Sequence, residues 1–198
     1  MLNSLIGLDV QISTFLRSLV VAGSPLVPVV RVFSDLEVLM VVVLLLIWWL
    51  RGVQTKSRDM RVQALDLFYA IGLAFGMYWI LNLGLPMRPR PETISSLPPL
   101  LNHLPDNSFP SGHAIFAGAS VFAIARYMSG RMAALFAFVG VFMLLSRVVA
   151  GVHYFGDIFV GTILGVVFAW MYDSIRAKLS DSSPLHTIPL KIASFIKL

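Results

Sequence analysis

A few polar residues punctuate an otherwise apolar chain of 198 residues: Arg88, Arg90, Pro110-Ser111-Gly112-His113, Ser146-Arg147, and His153 with Asp157. Three guanidinium groups can make forked, charge-assisted bonds to the oxygens of a phosphate. Pro110-Ser111-Gly112-His113 sets free backbone N–H groups and a hydroxyl at a helix start, a natural anion site. His153 and Asp157 are four residues apart, so a helix puts them on one face, where the carboxylate can orient the imidazole and stabilise its cation. A histidine held in that way can attack phosphorus, and His113 can protonate the departing oxygen as a general acid. Each fragment alone also has a structural explanation: interfacial anchoring for the arginines, a helix start for Pro-Ser-Gly, a structural pair for His–Asp. Their convergence is what points to phosphate chemistry.

The elements that must position these residues are membrane helices. Apolar residues make up 58% of the chain and charged residues only 13%, with a mean hydropathy of +0.84. Soluble domains carry roughly 45–50% apolar and about 25% charged residues. A soluble enzyme, a disordered tail and a nucleic-acid binder are therefore disfavoured. The net charge of +5 fits an inside-facing topology signal or contact with anionic lipid, and the lack of cysteine removes disulfides and thiol chemistry. The N-terminus has no basic region ahead of an apolar run, so no cleaved signal peptide is expected.

The pattern predicts an all-α integral membrane protein of one domain, a bundle of five to six transmembrane helices with an amphipathic N-terminal helix. The amphipathic helix covers 2–22, the transmembrane core 27–173 and a cytoplasmic tail 174–198. Within the core, one span runs from near Val27 to Leu50 and a second from about Val62 to Leu85. Three more cover Ser111–Tyr127, Met132–Ser146 and Tyr154–Tyr172. Six prolines between Pro86 and Phe109 exclude regular helix from most of that loop. Gly72-x-x-x-Gly76 and Gly161-x-x-x-Gly165 predict close helix packing. Asp66 is the one acidic residue expected clearly inside a span. His103 has no evident partner, and Asp106 is assigned to the turn before Ser111.

Basic residues in the Arg51–Arg61 loop, the Arg126–Arg131 turn and the tail at Arg176 and Lys178 mark one side as cytoplasmic. Arg88, Arg90 and Arg147 then fall on the outer side, against the rule. With them lie Ser111, Gly112, His113, His153 and Asp157, gathered at one face of the membrane.

These residues resemble the signature of the type 2 phosphatidic acid phosphatase superfamily, membrane relatives of vanadium haloperoxidases: Lys-x6-Arg-Pro, Pro-Ser-Gly-His and Ser-Arg-x5-His-x3-Asp. The second and third parts match completely at 110–113 and 146–157, and the resemblance covers roughly residues 30 to 173. The first part departs, with Arg90-Pro91 present but Leu83 at the lysine position. Arg88 is the hypothesised replacement for that cation. The resemblance implies a metal-independent lipid phosphatase without a cofactor, in which His153 forms a phosphohistidine, Asp157 orients it and His113 serves as acid and then base. Arg90, Ser111, Gly112 and Arg147 would hold the phosphate.

A site at the outer face of the plasma (inner) membrane calls for a substrate that shows its phosphate there and keeps its tail in lipid. For a bacterial chain, as the small size suggests, the resemblance puts undecaprenyl diphosphate first. Phosphatidylglycerophosphate, phosphatidic acid and lipid A 1-phosphate are rivals, slightly favoured by Gly112, where polyprenyl-diphosphate members often have aspartate. The expected partners are the lipid substrate and the bilayer, not nucleic acid, and oligomeric state is left open. The competing classes are a lipid or anion transporter and a non-catalytic lipid-phosphate binder. A transporter would place polar groups near mid-membrane.

Overall fold

The structure is a computed structural model that describes residues 2–94, 100–101, 107–179 and 183–195. His103 and Asp106 lie outside them. Among the described residues the chain is all-helical: α1 (Leu2–Ser18), α2 (Val27–Phe33), α3 (Leu36–Gln54), α4 (Arg58–Gly84), α5 (Pro91–Ile94), α6 (Gly112–Tyr127), α7 (Gly130–Val149), α8 (Phe155–Arg176) and α9 (Pro184–Phe195). Among the described residues α4, α7 and α8 are long and apolar enough to cross a membrane.

The centre is α6. Its 16 residues include Ala114, Ala117, Gly118, Ala119 and Ala123, small side chains that let neighbours approach from several directions. At ~1.5 Å per residue it is ~24 Å long, short of a hydrocarbon core of ~30 Å. The longer helices α4, α7 and α8 shield it. The closest approach is to α8: a Cβ added at Gly165 would sit 2.1 Å from the Ile115 carbonyl oxygen, and one at Gly118 2.2 Å from that of Thr162. Gly161 is almost as tight, 2.8 Å from Ala114 Cβ. Packing around Gly161 and Gly165 is thus as the spacing predicts. Gly72 and Gly76 differ, since an added Cβ would meet nothing within 4 Å at either. They open space on α4 instead of closing it.

The outer surfaces of α3, α4, α7 and α8 carry Leu46, Trp79, Phe138, Phe159 and Trp170, all exposed. Large apolar side chains facing outward on helices this hydrophobic are the surface a bilayer covers.

Two elements depart from the expectation. The first span is broken: α2 ends at Phe33 and α3 begins at Leu36, with Ser34 and Asp35 between them. The helix α1 stops at Ser18, not near residue 22, and it is amphipathic in an inverted sense. Asp9, Ser13 and Arg17, four residues apart, form the face turned to the protein, with Ser13 and Arg17 buried. Leu5, Leu8 and Phe15 point away from it.

Candidate active site

Both α6 and α8 begin at the same end of the bundle, which brings two positive helix termini together. The chain reaches α8 from α7 through a turn that explains the five-residue spacing between Arg147 and His153. After α7 ends at Val149, Gly151 takes a left-handed conformation (φ +81°) that favours glycine. The reversal lets Val152 N–H donate to the Arg147 carbonyl at 3.2 Å and returns His153 to the site.

His153 is buried, with 2% of its surface exposed. Its Nδ1 lies 2.9 Å from the carbonyl oxygen of Ser108. A carbonyl only accepts, so Nδ1 carries the proton and Nε2 keeps its lone pair. Burial, aided by the charges of Arg90 and Arg147 and opposed by Asp157, pushes the imidazole down to about 4. It is therefore neutral at ordinary pH. Arg90, 2% exposed, is held by the carbonyls of Val152 (2.6 Å) and Asn107 (3.4 Å), which place its Nη1 3.3 Å from His153 Nε2.

Asp157 is fully buried, in the first turn of α8. Its Oδ2 accepts from Ser108 Oγ at 2.5 Å and from the Tyr154 backbone N–H at 2.9 Å, with His153 Nδ1 at 3.7 Å. The carboxylate thus acts on His153 by charge and by fixing Ser108, while the direct contact to Nδ1 is the Ser108 carbonyl.

Arg88 stands apart from the other predicted phosphate ligands. Its Nη1 donates to Asp157 Oδ1 at 2.5 Å, its Nη2 to Asp9 Oδ2 at 2.6 Å, and its guanidinium lies 4.0 Å over the Tyr154 ring. Burial weighs against its charge, and the two carboxylates outweigh burial. Arg88 lines a cavity beside α1, different from the one that receives Arg90, His113 and His153. Leu83, at the position of the absent lysine, is 81% exposed.

On α6, Ser111 occupies the N-cap yet makes no capping bond, and its buried Oγ has no hydrogen-bond partner. A plain helix-start role would use that hydroxyl on the backbone. Here it is left for something else. Gly112 allows close approach, since a Cβ there would sit 3.1 Å from the Tyr78 ring. His113 Nε2 is 2.8 Å from Asp35 Oδ1, and Arg147 Nη1, on a residue only 4% exposed, is 3.7 Å from the same oxygen.

An apolar cavity of about 560 Å³ leads to these groups. Val41 and Leu45 of α3 and Phe68, Phe75 and Trp79 of α4 line it, together with Arg90, Gly112, His113 and His153. Among the described residues no cluster of three His, Asp or Glu side chains is arranged to hold a metal ion.

Sequence reasoning missed Asp9, Asp35, Asn107 and Ser108. Asp9 Oδ1 accepts from the Gly156 N–H at 2.7 Å and Ser13 Oγ from the Phe155 N–H at 2.9 Å, so α1 satisfies the first two amides of α8. The four-residue spacing of Asp9, Ser13 and Arg17 is the signal that could have found this. Asn107 Oδ1 accepts from the backbone N–H of Arg88 (3.0 Å) and of Phe109 (3.2 Å), tying both ends of the long loop.

The fold is that of a helical membrane protein, with buried His153, Arg90 and Arg147 gathered at one end of the bundle. Residues 63–180, more than half of the chain, match the PAP2 superfamily, and the chain belongs to that family. Two solved structures share the fold. LpxE from Aquifex aeolicus aligns with a TM-score of 0.68 and 22% identity, covering 84% of this chain and 95% of that one. The transmembrane PAP2-type phosphatidylglycerolphosphate phosphatase from Bacillus subtilis aligns with a TM-score of 0.67 and 19% identity, covering 91% of this chain and 90% of that one. No curated protein sequence matches the chain.

Proposed function

We propose that the protein is a metal-independent phosphatase for membrane lipids bearing a terminal phosphate or diphosphate, acting through a phosphohistidine at His153. The observation that carries this reading is the buried, neutral His153. Its Nε2 lone pair is fixed by the Ser108 carbonyl, with Arg90 at 3.3 Å, in the lining of an apolar cavity. Nucleophile, cation and lipid-compatible walls meet there.

In the reaction, Nε2 of His153 attacks phosphorus as the bond to the lipid oxygen breaks, and His113 donates its proton to that oxygen. Arg90, Arg147, the hydroxyl of Ser111 and the N-terminus of α6 stabilise the charge that builds on the phosphoryl oxygens. His113 then takes a proton from water, which attacks phosphorus and releases inorganic phosphate. Asp157 keeps the charge and orientation of His153 through the cycle.

The same proposal places the chain in the plasma membrane as a single domain. Its core, 27–173, makes five to six passes, with the site on the exterior face and the tail from 174 inside. The basic residues at the opposite end, among them Arg58, Arg126 and Arg176, support that orientation. Undecaprenyl diphosphate, phosphatidylglycerophosphate, phosphatidic acid and lipid A 1-phosphate form the substrate panel.

Phosphate release from this panel by detergent-purified protein tests the reading. Release is expected from at least one lipid, together with an acid-labile, base-stable phosphoprotein that is absent in His153→Ala. Undiminished release by that variant removes the mechanism.

A further inference from the structure

Asp35 has no part in the reaction as derived above, yet its carboxylate is aimed at it. The residue sits at the N-cap of α3 but makes no capping bond to its own helix. Its Oδ1 lies instead 2.8 Å from His113 Nε2 and 3.7 Å from Arg147 Nη1. The break between α2 and α3 is what puts it there. An unbroken helix from Val27 to Leu50 would have kept residue 35 in the helical repeat.

We propose that Asp35 is a specificity determinant that selects lipid phosphate monoesters over lipid diphosphates. The proposal rests on the reading of His113 as the general acid. In-line displacement puts the leaving oxygen on the side of phosphorus opposite His153, and a general acid at His113 must serve it from that side. To act as that acid, His113 must exchange Asp35 Oδ1 for the leaving oxygen at Nε2, so on this reading Asp35 is a neighbour of whatever departs.

The two substrate classes place different charges there. With a monoester, the bond from phosphorus to the lipid oxygen breaks, the bond to His153 Nε2 forms, and the proton on His113 Nε2 goes to the lipid oxygen. The product is a neutral alcohol, against which a carboxylate has no electrostatic objection. With a diphosphate, the departing group is the lipid monophosphate, an anion before and after the bond breaks. Held within a few ångströms of Asp35 it is repelled, both on binding and on the way to the transition state. Asp35 is 67% exposed at its side chain, so solvent moderates the repulsion without removing it.

Farnesyl phosphate and farnesyl diphosphate, which share a tail and differ only in the leaving group, provide the test. Initial rates are measured on the full chain in detergent, with the product lipids resolved from one another. The native protein is expected to favour the monophosphate in kcat/KM by about tenfold or more, and Asp35→Asn to shrink that preference by about tenfold, chiefly by lowering KM for the diphosphate. Asp35→Glu, which keeps the charge, is expected to keep the preference. A native enzyme that favours the diphosphate overturns the proposal whether or not the variants fold. So does a ratio unchanged in Asp35→Asn, because a merely structural loss lowers both rates together. Release from neither lipid overturns the role of Asp35 and, joined by failure on the whole substrate panel above, defeats the phosphatase reading as well, whereas release from both at an unaltered ratio defeats only the role of Asp35.

Discussion

The two ends of the bundle carry the same kinds of side chain. At one end Asp157 meets His153, Arg88 and Tyr154. At the other, buried Asp66 meets Tyr172 Oη at 2.7 Å, His186 Nε2 at 2.8 Å and Arg176 Nε at 3.2 Å. A carboxylate, an imidazole, a guanidinium and a phenol occur in both. What separates them is where the charges close. Around Asp66 the imidazole, guanidinium and phenol converge on one carboxylate, and the result fastens α9 and the end of α8 to α4. Around Asp157 the guanidinium of Arg88 closes on one oxygen and Ser108 Oγ with the Tyr154 N–H on the other, His153 turns to the Ser108 carbonyl, and Arg90 is brought to its Nε2. The N-termini of α6 and α8 lie at the Asp157 end and their C-termini at the Asp66 end, so these two helix dipoles favour an anion beside His153. Residue types alone do not make a phosphate site. Helix direction and an open cavity decide which cluster can be one.

Removing each histidine in turn should separate the two ends most strongly. His153→Ala should lower phosphate release by at least about 10³-fold, as loss of a nucleophile does. His186→Ala should leave turnover within a few-fold and loosen α9, read as faster proteolysis of the C-terminal segment. Equal losses in both variants would erase the distinction.

The next largest effect belongs to stability. Asp66→Ala leaves Arg176 and His186 facing a vacated partner and should destabilise the protein by about 3 kcal/mol. The lowered thermal unfolding midpoint in detergent, at unchanged KM, is the check.

Arg88→Ala sharpens the other end. As a holder of Asp157 and Asp9 that stands away from the cavity of Arg90, it should lower kcat by about tenfold and leave KM near its native value, the pattern of a lost positioning contact. A large rise in KM with kcat preserved would restore Arg88 to the phosphate ligands.

The smallest effect is a flat one. Because burial holds His153 at about 4, the ring gains its proton only as pH falls through that value. From pH 7 down to about 5, kcat/KM should show no acid limb from this group. A limb near 6.5, matched by an NMR titration of the His153 ring in the native protein, would mean a solvated imidazole.

Much of this arrangement was legible in the chain. The complete Pro110–His113 and Ser146–Asp157 patterns rest on local spacing, and the helix starts and the Gly161–Gly165 contact follow from the same repeat. The break at Ser34-Asp35 was not legible, because two polar residues inside a long apolar run do not show whether the helix continues or turns. Glu37 was overlooked for the same reason. It lies buried in α3, its Oε1 accepting from Ser120 Oγ at 2.9 Å and its Oε2 lodged where a side chain on Gly140 would otherwise sit. Asp66 is therefore not the sole acidic residue inside the bundle.

Hydropathy and short-range spacing are local quantities, so the class of protein, its main helices and the residues His113, His153 and Asp157 on which the proposed chemistry rests could be read from the chain alone. Only the tertiary structure decided the partner of each charge. Asp9 reaches Arg88 across 79 residues and Asp35 reaches His113 across 78. No periodicity records such pairs, because they depend on how the helices cross and on which face each one turns inward.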